Sequence, residues 1–181
     1  MANQRVLVTY ATGHGSTASV AGLIAEGFKD FVTDVDVLHI DAAANPNRYD
    51  AVVIGSPIRY DRWLRCANAY VEAHELALAT RPVAYFFTCM ALSVPSGNAQ
   101  GRRYAERIAA QNRNVTPVCI GQFAGALDFE KFPGPMHLPV RLLLKILGVN
   151  SGDFLDPDVI RIWSHHCFAS FQLKETTETN L

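Results

Sequence analysis

Charge is scarce in this chain of 181 residues: Asp, Glu, Lys and Arg make up 18%, against the usual quarter of a soluble domain. What charge there is balances, with 16 Lys or Arg facing 17 Asp or Glu. There is no basic surplus to displace counterions, which excludes nucleic-acid binding driven by overall charge. The same balance speaks against a strongly acidic electron shuttle. Cysteine is sparse too. Cys66, Cys89, Cys119 and Cys167 form no C-x-x-C pair, so a zinc site built from them is not expected, and no metal is. No run reaches the ~20 apolar residues that span a bilayer, and the first residues lack a signal-peptide pattern. Reduced thiols and a cytoplasmic location are therefore expected.

Apolar residues, by contrast, are plentiful at 49%. Disorder is thereby excluded for most of the chain. One domain of about this length buries roughly 70% of the surface its unfolded chain exposes, so a single domain over 1–175 is expected, with a polar tail at 176–181. Strand patterns occur at 5–10, 34–41, 51–56, 82–88 and 117–125. Between them, helical spacing spans about 16–31, 64–75 and 100–112. In the first of these, Val20, Leu23, Ile24, Gly27, Phe28 and Phe31 share one face. Asp156-Pro157-Asp158 starts a last helix, with a capping Asp and Pro at the first helical position. Alternating strands and helices imply a parallel sheet covered on both faces. The expected fold is α/β, a flavodoxin-like doubly wound five-stranded parallel sheet with order 2-1-3-4-5. The segment 126–155 breaks this rhythm, where a connection of about 2–6 residues is usual.

Chemistry concentrates in the loop after the first strand. Gly13-x-Gly15-x-x-Ala18 fits a dinucleotide fingerprint, a weak signal by itself. The hydroxyls of Thr12, Ser16 and Thr17 decide for another reading. With amides at a helix N-terminus they suit a terminal phosphate monoester, which offers several oxygens. His14 in the same loop is a further candidate donor to phosphate or ribose. A response-regulator reading of the same fold fails, because the third strand ends in Ser56 rather than an Asp and the first ends in Tyr10-Ala11.

At this point the chain resembles a known family. Tyr10-x-Thr12-x-x-Gly15-x-Thr17-x-x-x-Ala21 is similar to the flavodoxin signature, which implies FMN as cofactor, its phosphate held by Thr12, Gly13, His14, Gly15, Ser16 and Thr17. The resemblance further implies that the loops after the third and fourth strands enclose the flavin ring. These supply Ser56, Pro57, Ile58, Arg59 and Tyr60, and Thr88, Cys89, Met90, Ala91 and Leu92. Tyr60 or Trp63 would cover a ring face, and the amides of Met90, Ala91 and Leu92 would meet its pyrimidine edge. Cys89 reads as a passive small residue. No side chain stands out as an acid or base; Arg59 is the electrostatic candidate, a cation that favours the anionic two-electron-reduced flavin.

Gly55-x-x-Ile58-Arg59-Tyr60, then Phe123-Ala124-Gly125-Ala126-Leu127, then the long apolar insertion narrow the resemblance to the menaquinone-dependent protoporphyrinogen dehydrogenases. That implies an FMN-dependent oxidoreductase passing electrons from a reduced substrate to a quinone or redox partner. A flavodoxin acting only as an electron carrier is the alternative, and a flavin-free interaction module is a third. Arg59, Arg62, Arg65, Arg102 and Arg103 are candidate partners for substrate propionates. The stretch 133–147, apolar with two cations and no acid, suits a peripheral membrane contact, the protein's own core or a homo-oligomer interface. His165 and His166, adjacent in the last helix, fall on different faces and are expected to be structural or surface groups.

Overall fold

The computed structural model describes residues 4–12, 15–43, 45–125 and 155–178. Gly13, His14, the insertion at 126–154 with its 133–147 stretch, and the end of the expected tail lie outside the described residues. The chain forms β1 (Arg5–Tyr10), α1 (Ser16–Phe28), β2 (Asp34–His39), β3 (Ala51–Arg59), β4 (Arg62–Trp63), α2 (Arg65–Ala73), α3 (Glu75–Leu78), β5 (Val83–Cys89), α4 (Asn98–Gln111), β6 (Cys119–Ala124) and α5 (Pro157–Glu178). Five strands run parallel in the order β2-β1-β3-β5-β6, and β4 pairs antiparallel with β3. The expected five-stranded order 2-1-3-4-5 is present, with one short strand added.

Alternation along the central strands divides the core in two. Leu7, Val52, Ile54, Val83, Tyr85 and Phe87 point to one face and pack with Ala67, Tyr70, Val71, Tyr104 and Ile108 of α2 and α4. Their neighbours Val6, Val8, Ala51, Val53, Ala84 and Phe86 point to the other and pack with α1 and α5. A strand buried on both faces reads as a continuous apolar run, and β1, β3 and β5 do. Each fully buried large side chain contributes about 1.5–3 kcal/mol of transfer free energy.

Several boundaries differ from the sequence expectation. α1 ends at Phe28, not 31, and Phe31 is half exposed, stacked on Phe168 at 4.8 Å. The expected helix over 64–75 is broken at His74, whose φ of −113° separates α2 from α3. β3 runs on to Arg59 instead of stopping at Ser56, because Ser56 and Pro57 continue the parallel pairing with Phe87 and Thr88.

α1 and α5 are joined at their ends by Asp30. Its carboxylate accepts from Arg161 Nη2 at 2.8 Å and lies 2.9 Å from His165 Nε2. These partners, Arg161 foremost, hold the Asp30 carboxyl below its usual range. The depressed value means that the contribution is present at neutral pH and is lost as pH falls through the folded-state pKa. Asp30→Asn is therefore expected to lower Tm slightly at pH 7, as exposed pairs contribute little, and the difference from wild type is expected to shrink as the pH falls below the usual carboxylate range. Thermal melts along a series of decreasing pH check this; a difference that does not shrink would contradict it.

Candidate functional site

The carboxyl ends of β1, β3 and β5 converge beside the N-terminus of α1. Gly15, which caps that helix, has φ 100°, a conformation that strains any side chain. No side chain caps the first turn of α1 and no acid lies in it. Gly15 donates its N–H to Thr12 Oγ1 at 2.9 Å, which folds the loop back over the helix end and leaves the Thr12 hydroxyl hydrogen available. Ser16 is partly exposed at the same end. Thr17 is different. It is 1% exposed, and its Oγ1 lies 2.9 Å from Thr88 Oγ1 across the sheet end. Its role in the geometry is to pin α1 to β5. Gly125 completes the enclosure: a Cβ there would lie 3.9 Å from Cys89 backbone atoms and from Ser16 Oγ.

The loop after β3 is a tight hairpin. Ile58 pairs with Trp63 and Arg59 with Arg62, and the two connecting residues, Tyr60 and Asp61, have φ 48° and 60°. Two positive φ values mark the primed turn that matches strand twist. Tyr60 is 97% exposed at the tip. Trp63 was expected to compete with it for a flavin face, but the cross-strand pairing turns it inward. It is 2% exposed and meets the Tyr85 ring edge-on at 5.1 Å. Ser56 also faces inward, where its hydroxyl accepts the Leu64 N–H at 3.0 Å and donates to the Pro57 carbonyl. Pro57 and Ile58 are partly buried; Arg59, Arg62, Arg65, Arg102 and Arg103 are all exposed.

Sequence reasoning missed what holds this tip. The Tyr104 hydroxyl of α4 donates to Asp61 Oδ1 and accepts from Gln100 Nε2. Arg107 Nη1 donates to the Asp61 carbonyl at 2.8 Å. The available signal was two residues, Tyr60-Asp61, between facing arginines, the spacing of a hairpin without its usual Asn-Gly.

β5 ends at Cys89, and a single turn over Met90–Ser93 follows, closed by Ser93 Oγ donating to the Met90 carbonyl at 2.7 Å. Burial pushes the Cys89 thiol up in pKa, opposed by the Ala91 and Leu92 N–H groups that face its sulfur. Those two amides were expected at a ligand's pyrimidine edge. They are engaged by a weak acceptor, which a ligand oxygen can outcompete.

In the loops after β1, β3 and β5 the only described acid is Asp61. Acids gather at the other end of the sheet, where Glu72 and Glu75 line two open hollows of about 610 and 450 Å³. Among the described residues no group of three or more His, Cys, Asp or Glu side chains is placed to hold a metal ion. No described helix is long and apolar enough to cross a membrane.

The chain as a whole has known counterparts. A family model described as a flavodoxin domain covers residues 7–148. The chain belongs to the flavodoxin-domain family. Among curated relatives, protoporphyrinogen IX dehydrogenase (quinone) of Escherichia coli K12 is 25% identical over 147 residues, 80% of this chain and 81% of that protein. Its namesake in Leishmania major is 26% identical over 154 residues, 82% of this chain and 66% of that one. Among solved structures, a Lactobacillus acidophilus flavoprotein in complex with FMN aligns with TM-score 0.51 at 14% identity, over 66% of this chain and 93% of that one. A flavodoxin from the Archaea aligns with TM-score 0.50 at 18% identity, over 80% and 94%. These likenesses show the fold.

In this flavodoxin domain the turn after β5 depends on Gly97, where an added Cβ would lie 1.7 Å from the Ala91 carbonyl oxygen. Backbone cannot yield as a side-chain tip can. Gly97→Ala is expected to cost about 1–3 kcal/mol. Gly22→Ala, with nothing within 4 Å of its Cβ, is expected to gain about 0.5–1 kcal/mol of helix propensity. Urea midpoints of both variants check the pair; equal effects would contradict the geometry.

Proposed function

We propose that this flavodoxin-domain protein is an FMN-dependent oxidoreductase that takes electrons from a reduced substrate, protoporphyrinogen IX in our reading, and delivers them to a quinone-type acceptor. The observation that carries the flavin reading is the uncapped first turn of α1 beneath Thr12, Gly15 and Ser16. Orphan N–H groups and the positive end of the helix dipole favour a phosphate. The chemistry of these residues fits FMN. Thr12 and Ser16 donate hydroxyl hydrogens, Gly13 and His14 complete the loop in sequence, and Thr17 supports the helix from below through Thr88.

Bound FMN supplies the two-electron chemistry. The chain supplies position and field. Tyr60 offers an exposed ring at the hairpin tip, and the Met90–Ser93 turn after β5 offers the Ala91 and Leu92 amides. Pro57 and Ile58 support the hairpin base. Cys89 is buried with a raised pKa, which keeps its thiol protonated and passive. Arg59 and Arg62 face the same side of the hairpin as cross-strand partners and suit carboxylates of a porphyrinogen or negative charge on a reduced flavin. The names of the curated relatives support this substrate and acceptor; their 25–26% identity leaves both as the reading to be tested.

The test is turnover of FMN-loaded protein with protoporphyrinogen IX and a menaquinone analogue, followed by porphyrin fluorescence. Quinone-dependent porphyrin formation is expected. A protein that binds FMN but turns over neither compound would be an electron carrier. Arg59→Glu is expected to make the midpoint potential of bound FMN more negative, by removing a cation and adding an anion near the ring. Spectroelectrochemistry reads this, and an unchanged potential would remove Arg59 from the site.

A further inference from the structure

The β3–β4 hairpin has three features that disfavour it. Tyr60 and Asp61 both adopt positive φ, at 48° and 60°, which Asp tolerates but which strains the bulky Tyr60. Arg59 and Arg62 are directly opposite one another, and like charges so placed repel. β4 has only two residues, and a short two-stranded ribbon is marginal by itself. The base of the hairpin is secured by Trp63, buried against Tyr85, and by Ser56 accepting the Leu64 N–H. The tip has no such burial, since Tyr60 is 97% exposed.

What holds the tip comes from α4, over 40 residues on. Tyr104 is 5% exposed and meets Phe87 of β5 edge-on at 6.1 Å, so its hydroxyl stands at a fixed place relative to the central sheet. That hydroxyl is saturated: it donates to Asp61 Oδ1 and accepts from Gln100 Nε2. Arg107 adds a second bond, to the Asp61 carbonyl at 2.8 Å. Asp61 is thereby held at its side chain and at the carbonyl that leads into Arg62, which fixes the residue bonded directly to Tyr60.

We infer that Tyr104 and Arg107, acting through Asp61, are positioning residues that lock the hairpin tip and so hold the Tyr60 ring where it covers the cofactor. This rests on the FMN reading of the site, and it assigns to α4 a task in cofactor binding that its own distance from the first loop does not suggest. A lock of this kind also explains the composition of the turn. Asn-Gly would relieve the φ strain, but would remove both the ring and the carboxylate.

Two measurements test it. The first uses the protein without cofactor: trypsin cleavage after Arg59 and Arg62, followed by mass spectrometry. Tyr104→Phe, Asp61→Ala and Arg107→Gln are each expected to speed cleavage there several-fold, while Asp61→Asn, which keeps an acceptor and tolerates positive φ, stays near wild type. The second is FMN affinity in a double-mutant cycle of Tyr104→Phe with Tyr60→Ala. Tyr104→Phe alone is expected to weaken FMN about ten-fold, the low end for one hydrogen bond to a charged group. In the Tyr60→Ala background it should add nothing. Equal losses in both backgrounds would show that Tyr104 acts elsewhere, and unchanged cleavage at Arg59 and Arg62 would overturn the lock. If wild type binds no FMN, the flavin reading falls, and the trypsin result alone then decides whether the lock exists.

Discussion

The start of α1 sets the problem that the rest of the structure answers. A helix leaves its first N–H groups without intrahelical partners, and here no side chain takes them up. Gly15 bends the chain into the helix in a left-handed conformation, and Thr12 fixes that bend from the strand side. The end is rigid as well as needy. Thr17 and Thr88, both almost fully buried, join helix to sheet through a hydroxyl pair. A preorganised set of donors at the carboxyl ends of parallel strands suits an anion, which is the basis of the proposed phosphate site.

Sidedness follows from the same constraint. Glu72 and Glu75 stand at the amino ends of the strands, away from the helix start. At the carboxyl ends, the loops after β1, β3 and β5 carry a single described acid, Asp61, and its carboxylate accepts the Tyr104 hydroxyl. Arg59 and Arg62 stand on the outward side of the hairpin while Ile58 and Trp63 face inward. In the hairpin after β3, two exposed cations thus accompany one acid whose carboxylate is already engaged. The balance also separates this chain from acidic carriers of the same fold.

Much of this was legible in the amino-acid sequence, because the central strands bury both faces and cannot hide their apolar runs. Val6–Val8, Val52–Ile54 and Val83–Phe87 announce a parallel sheet, and Gly15 with its hydroxyl neighbours announces an anion loop. Contacts distant in sequence were not legible. The pairing of Asp61 with Tyr104 spans 43 residues, and no local pattern encodes it. The hairpin was missed for a second reason: Tyr60-Asp61 lacks the glycine that normally marks a primed turn, so 57–60 read as an open loop. Trp63 was expected, as an alternative to Tyr60, to cover a ring face, yet its register opposite Ile58 turns it into the core. Thr17 read as one of three equivalent hydroxyls, and only burial distinguishes it from Thr12 and Ser16.

The central claim is that the first turn of α1 holds the phosphate of a flavin mononucleotide. Comparing the affinities of FMN and riboflavin isolates that phosphate, since the two ligands share the same ring and chain. Hydrogen bonds to a charged group contribute about 1.5–3 kcal/mol each, so two such bonds place FMN at least ~100-fold tighter than riboflavin. A wild-type protein that binds FMN that much more tightly, with the gap shrinking in Ser16→Ala, supports the account. Equal affinity for the two ligands would contradict it.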